Sequence, residues 1–483
     1  MVTISRPSPS ISPATRRAFT RETQSSSMAD IPSFDLGNFD ILLRGRPGAL
    51  NHSDATQTVN PAPPGLRPWT TLFILTAVFV LANIDRNILA ILLPSIQGEF
   101  SLADWQLGLL GGFAFSLMYG ISGIFVSFAA DRSNRSRIIA ISLAVWSVMT
   151  MLCGAATSFV QLLFARAGVG LGEAGCSPPA HSLIADLFPA DRRALALGIY
   201  AAGASAGLTL SYLIGAWLVQ EAGWRIAFVA VGLPGVLLAP LVGFVAKDMF
   251  RARTKVAIFS SALGTAFGRN VALIWNDRVL RHVFLGASLA AGVSASTILF
   301  VPTYLMRTHG MSAMEVGLAL GLLSGIVGSS GMIIGGWIAD RIGRTDPARR
   351  LWVAVAAKVI ALPALFLFLT VDDTTTALWL YAFPALVGGI WLGPTYAAVQ
   401  TQSPPDSRAM GAALLLLTYN IIGFGCMPLL IGAASDLVQQ ASGKDGLAFA
   451  MLLLVPFSIW SALHFLLASR HMRRPETCSA LSI

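Results

Sequence analysis

From Trp69 onward the chain alternates long apolar runs with short polar breaks. About 20 apolar residues suffice for a helix to cross the hydrocarbon of a bilayer. On that rule the runs predict spans over 69–94, 105–129, 138–157, 160–185, 193–219, 224–245, 283–305, 313–339, 351–371, 375–399, 409–432 and 447–469. Six fall on each side of a polar stretch. The pattern therefore predicts an all-α polytopic membrane protein, with twelve transmembrane helices in two six-helix bundles over 67–246 and 283–470. Between them, 247–282 reads as a cytoplasmic linker with amphipathic helices. Residues 1–66, rich in Ser, Pro, Thr and Asn, read as a disordered cytoplasmic tail, and 471–483 as a second, short one.

Composition sharpens the class: 55% of the 483 residues are hydrophobic and only 12% are charged, with a mean hydropathy of +0.68, outside the range of soluble chains. The formal charge of +9 matters through its placement. After the first span, twenty lysines and arginines fall in segments on the linker side, against Arg225, Arg307 and Lys444 on the other. The positive-inside rule then puts both termini on the cytoplasmic side of the membrane. The basic balance is topology, so no nucleic-acid partner is implied. The linker is expected to lie on the anionic leaflet. Cys153, Cys176, Cys426 and Cys478 have neither metal-ligand nor disulfide spacing. The histidines are not expected to cluster, and no hydrolytic carboxylate pair or phosphate-cradling glycine loop is present. No enzyme activity, metal or organic cofactor is expected, and the chain is expected to act as a monomer.

Four ionisable residues sit where the hydropathy demands helix. Span 4 carries Arg166 and Glu173, and span 1 carries Asp85 and Arg86. A seven-residue gap returns to nearly the same helix face, so Arg166 and Glu173 point the same way. A charge at the bilayer centre costs on the order of 2.5 to 3.5 kcal/mol even on a lenient scale, so that face looks into a bundle or a wet cavity. Mutual neutralisation that locks two helices together is one reading. The favoured one is a proton relay coupled to a solute path, with Asp85 and Glu173 as protonatable carboxylates, the proton as coupling ion, and Arg86 and Arg166 switching partners or holding an anionic head. Lys358 in span 9 either snorkels to the surface or meets a solute phosphate or carboxylate. Polar groups expected at a cavity are Ser294, Ser296, Thr297 and Tyr304 in span 7, Trp391, Thr395 and Tyr396 in span 10, and Tyr419 and Asn420 in span 11.

The loops hold an internal repeat. Ser127 to Arg137 reads SFAADRSNRSR after span 2, and Gly336 to Arg344 reads GWIADRIGR after span 8. Asp131, Arg132 and Arg135, and correspondingly Asp340, Arg341 and Arg344, are candidate gating groups that latch helices as two halves rock. Spans 5 and 8 are rich in glycine, which lets helix backbones approach closely in lipid.

These motifs carry a resemblance over 69–470. Two six-helix halves, the GWIADRIGR loop, and Arg166 followed by Gly170 and Gly172 resemble the major facilitator superfamily. Asn83-Ile84-Asp85-Arg86, Gly172-Glu173-Ala174, Ile184 to Phe188 followed by Asp191-Arg192-Arg193, and Asp131 to Arg135 are similar to the spinster-like branch, bacterial members especially. Ser127 and Asn134 stand where the superfamily loop usually has glycine, and span 5 lacks the proline of the antiporter signature. The resemblance implies alternating access and, for that branch, proton-linked movement of lysolipids, sphingoid phosphates or related amphiphiles through the bilayer. A carrier of small organic anions or sugars, and a membrane sensor, remain as alternatives.

Overall fold

A computed structural model describes residues 68–130, 133–245, 261–344, 346–404 and 407–472. Asp131 and Arg132 lie outside the described residues, as do the tail 1–66 and most of the segment 471–483.

Each of the twelve apolar runs falls on helix. In chain order the helices are α1 Pro68–Phe100, α2 104–130, α3 Arg135–Gly154, α4 Phe159–Glu173, α5 Ser177–Leu187 and α6 Ala190–Val245. They continue with α7 Ser261–Asn276 in the linker, α8 Arg278–Thr308, α9 Ala313–Gly343, α10 Arg349–Phe368, α11 Thr374–Val387, α12 Leu392–Gln402, α13 408–442 and α14 Leu447–His471. Nine helices among the described residues are long and apolar enough to cross a membrane. Spans 5 and 6 share α6, which turns at Gly223 with φ +80°, a conformation that glycine adopts without steric penalty.

Span 4 is broken, which hydropathy alone does not reveal. Glu173 is the last residue of α4, and the chain turns through Ala174, Gly175 and Cys176 before α5 begins with Pro178 and Pro179 in its first turn. Proline has no N–H to continue a helix, yet it suits the first turn of a new one. Span 10 breaks similarly, between Val387 and Leu392.

The amino and carboxyl bundles meet along two seams, α2 against α13 and α6 against α9. A Cβ on Gly112 would lie 2.8 Å from the Phe424 carbonyl oxygen, and one on Gly317 would lie 2.7 Å from that of Tyr212. Glycine is required at Gly112 because the opposing atoms are carbonyl oxygens, and at Gly317 because a Cβ would also collide with the Cβ of Ala216, which has no rotamer to move to. Stretches of π-helix at Leu109–Phe113, Gly321–Val327 and Tyr419–Cys426 all sit on these seams. Such bulges recur at functional sites in helices. Towards the linker end the glycines lose their neighbours: Gly198 on α6 and Gly336 on α9 would have no atom within 4 Å of a Cβ. The halves are seated at the far end and diverge towards the linker.

Candidate functional site

The four intramembrane charges come together as two pairs. The Arg86 Nη2 donates to Glu173 Oε2 at 2.6 Å and its Nε to the same oxygen at 3.2 Å. The Arg166 Nη1 stands 3.9 Å from Asp85 Oδ1 and 3.5 Å from the Asp85 carbonyl oxygen. Close helix packing makes this geometry. Gly170 meets the Phe115 carbonyl of α2, and Gly172 would place a Cβ 2.7 Å from the Trp146 nitrogen of α3, so α4 is pressed against both helices and carries its charges inward. The expectation that Arg166 and Glu173 share a buried face holds: they are 0% and 1% exposed, and Asp85 is 2% exposed. Arg86 alone has access to solvent, its side chain being 34% exposed.

Three participants carried no signal in the sequence. The Thr150 hydroxyl donates a hydrogen bond to Asp85 Oδ2. The Phe115 ring stands between two guanidiniums, 4.9 Å from that of Arg86 and 5.5 Å from that of Arg166, and Tyr119 lies 4.8 Å from that of Arg86. Threonine and aromatic residues are ordinary in apolar helices, so only their placement marks them. Asp85 Oδ1, Glu173 Oε1, and Nε and Nη2 of Arg166 have no hydrogen-bond partner among the described residues. A buried polar group is normally satisfied, so these four atoms leave the cluster with hydrogen-bonding capacity that no described residue fills.

Across from Arg86 the carboxyl bundle presents aromatic rings. Trp391 meets Tyr419 edge-on at 5.7 Å, and Tyr419 lies 6.2 Å from Phe424. Tyr419 is within electrostatic range of Arg86 and Tyr119, and Tyr396 within range of Tyr119. Arg86, Tyr119, Tyr396 and Tyr419 are each partly accessible. Asn420 is turned back onto the Leu416 carbonyl at 2.8 Å. Tyr304 stands elsewhere, 1% exposed, with its hydroxyl donated to the Phe368 carbonyl at 3.1 Å, a contact that ties α8 to α10. Lys358 is 6% exposed, which places it inside the carboxyl bundle on the face of α10 that buries Ala354, Ala361 and Leu365. It joins none of the pairs above, and no ion pair or hydrogen bond to it occurs among the described residues.

The loop groups divide. Arg135 pairs with Asp186 at 2.7 Å and donates to Ser182 at 2.7 Å, so the start of α3 is fastened to α5. Asp340, Arg341 and Arg344 are exposed, with Arg341 lying over the Trp337 ring at 5.6 Å. A stronger fastening was not foreseen. At the far end of the seam the Asp436 carboxylate of α13 accepts the backbone N–H groups of Asp104 and Trp105 at 2.9 and 2.8 Å, capping α2 from the opposite bundle. In return Asp104 engages Arg307 and Ser435, and Arg307 reaches Gln97 and Asp445.

The histidines correct the sequence reading. His282 Nδ1 lies 2.8 Å from His464 Nδ1, and His471 stacks on His282 at 5.9 Å. They gather because His464 and His471 are two turns apart on α14, on the face that packs along α8. Among the described residues no group of three or more His, Cys, Asp or Glu could hold a metal ion.

Residues 75–426 match the Major Facilitator Superfamily model. The chain is 34% identical to an MFS-type efflux pump of Mycolicibacterium smegmatis, covering 84% of this chain and 94% of that protein. It is 28% identical to a cis,cis-muconate transport protein of Acinetobacter baylyi, covering 80% and 92%. Among solved structures it resembles a bacterial homolog to the human lysosomal transporter spinster in an inward-facing and unoccupied conformation, with a TM-score of 0.75 and 29% identity over 85% of this chain and 98% of that one.

Proposed function

The chain belongs to the major facilitator superfamily, and from that membership we propose that it is a proton-coupled secondary transporter of an anionic amphiphile, working by alternating access. Membership makes it an integral membrane transporter rather than an enzyme. The linker end, rich in lysine and arginine, is the cytoplasmic one by the positive-inside rule. The membrane is the bacterial inner membrane, and the state is open inward, with the clasp at Asp104, Arg307 and Asp436 closing the outside.

The observation that carries the coupling is the crossed pairing of two acids and two bases, three of them sealed from solvent and one accessible. Four paired charges tolerate burial only as a set. A proton added to Glu173 frees Arg86, the one member that reaches the space shared with Tyr119, Tyr396 and Tyr419. An anionic head that takes Arg86 leaves Glu173 in need of that proton. The facing aromatic rings suit an apolar body behind the head. Lys358, buried and unpaired, is a second cation for the solute to meet once the bundles rock.

A second reading, a small dicarboxylate as solute, is favoured by the likeness to the muconate transport protein. Both are separated by one experiment. Purified protein in proteoliposomes, driven by an imposed pH gradient, is given a labelled lysophospholipid in competition with muconate, sugars and sphingoid phosphates. Competition by lysolipids and sphingoid phosphates, with uptake abolished in Asp85→Asn and Glu173→Gln, supports the proposal. Unchanged proton-driven uptake in both variants would remove the coupling mechanism, and competition by muconate alone would replace the solute.

A further inference from the structure

We infer that Thr150 is the positioning residue that lets Asp85 keep one place in the cluster both with and without its proton. The inference deepens the proton-coupling reading and rests on it. Thr150 is 0% exposed, and its hydroxyl lies between two acceptors, Asp85 Oδ2 and, at 3.0 Å, the Trp146 carbonyl oxygen. A hydroxyl has one proton to give and two lone pairs to receive. While Asp85 is ionised, Thr150 donates to Oδ2. When Oδ2 carries the proton the bond reverses: Asp85 donates to Thr150 Oγ1, and the threonine O–H turns to donate a hydrogen bond to the Trp146 carbonyl oxygen. No polar atom loses its partner in either state, and no heavy atom has to move.

Nothing else at the cluster can do this. The Arg166 guanidinium faces the other carboxylate oxygen from 3.9 Å, too long for a hydrogen bond, and an arginine can only donate. The remaining titratable or charged groups around Asp85 are Glu173 from α4, Arg86 from its own helix and Cys153 from α3. Where α6 packs along α1 it presents Gly207 beside Asn83. Thr150 supplies the only side-chain hydrogen bond to the Asp85 carboxylate among the described residues.

Replacing the hydroxyl by a methyl group removes a donor from the ionised form and an acceptor from the protonated form. Hydrogen bonds to a charged group are the stronger, so the ionised form suffers more. The pH midpoint of proton-linked uptake in Thr150→Val should therefore move up by about one unit. Thr150→Ser keeps the hydroxyl and should restore the parent profile. An unshifted midpoint in Thr150→Val overturns the inference. So does a Thr150→Ser profile shifted as far as that of valine, because the methyl group would then be the part that matters. Should the valine variant not fold, Thr150→Ala is read by the same profile. Asp85→Asn separates the two ideas: if it retains the parent pH profile, the coupling reading falls with the inference. If it abolishes the profile while Thr150→Val leaves it in place, the inference falls alone.

Discussion

Arg307 holds both carboxylate oxygens of Asp104, with Nη2 at 2.7 Å from Oδ1 and Nη1 at 3.0 Å from Oδ2, joining α8 of one bundle to the start of α2 in the other. The acid is 2% exposed and the arginine 24%. Removing one partner of a buried pair leaves the other uncompensated. Asp104→Ala should weaken the far-end contact by roughly 3 kcal/mol. Cysteines placed at the linker end should then become less accessible to a thiol reagent, and those at the far end more so. An accessibility pattern equal to the parent's would mean that the clasp does not set the resting orientation.

The same acid makes a pH-dependent statement. Burial pushes the Asp104 carboxyl up, but the hydrogen bonds and charge of Arg307, with those of Ser435 and Gln97, outweigh it and hold the group below its ordinary 3.8. A carboxylate depressed in this way contributes its full stabilisation above the ordinary value and loses it only as pH falls through the depressed one. The difference in melting temperature between the parent and Asp104→Asn should thus stay constant from about pH 8 to pH 5 and shrink only in stronger acid. Asp104 therefore contributes no pH dependence in the neutral range.

Gly112→Ala should distinguish the seam from a mere helix surface. Its Cβ would press on backbone oxygens of Phe424 and Gly425 at 2.8 and 3.1 Å, which cannot yield as a flexible side chain does. Melting temperature should fall, with a loss of about 1 to 3 kcal/mol. Gly198→Ala, which meets nothing within 4 Å, should gain roughly 0.5 to 1 kcal/mol from helix propensity. Equal behaviour of the two would show that the approach at Gly112 is not tight.

Arg86→Lys keeps the charge and loses the shape. Arg86 brings two nitrogens to one oxygen of Glu173 while lying over Phe115 and Tyr119, and an ammonium reproduces neither the fork nor the stacking. Uptake should fall by about tenfold to a hundredfold, corresponding to a loss of about 1.4 to 2.8 kcal/mol, in protein of unchanged melting temperature. Uptake at the parent rate would reduce Arg86 to a point charge.

Lys358→Met should stabilise the solute-free protein by roughly 1 to 3 kcal/mol, because it removes an unpaired polar group from the bundle interior. If the cation meets the solute, uptake falls at least tenfold in the same variant. A rise in melting temperature without loss of uptake would make Lys358 a structural residue only.

Hydropathy and a few charges made much of this legible. The apolar runs located the helices because a bilayer leaves the backbone no alternative, and the high cost of intramembrane charge pointed to Asp85, Arg86, Arg166 and Glu173. The crossed pairing was beyond reach, since which arginine meets which acid depends on how closely Gly170 and Gly172 let α4 approach its neighbours. Thr150 and Phe115 are residue types that any apolar helix carries. The clasp escaped for a related reason: Asp104, Arg307 and Asp436 sit at span ends, where a charge has a sufficient explanation in water. Equally, the gathering of His282, His464 and His471 needs the pairing of α8 with α14, which no local pattern reports.

On the seam of α2 with α13, Gly108 and Gly112 of one helix and Gly432 of the other press against carbonyl oxygens of the opposite segment. Main-chain atoms have no rotamers through which to retreat by degrees, so the far-end contact is either seated or parted. A half-ajar passage finds no resting geometry, and with transport coupled to an ion gradient, as proposed, ions would be denied a route by which to run it down unaccompanied. Tightness against such a short circuit would thus be a property of the backbone, indifferent to most side-chain replacements along the same helices.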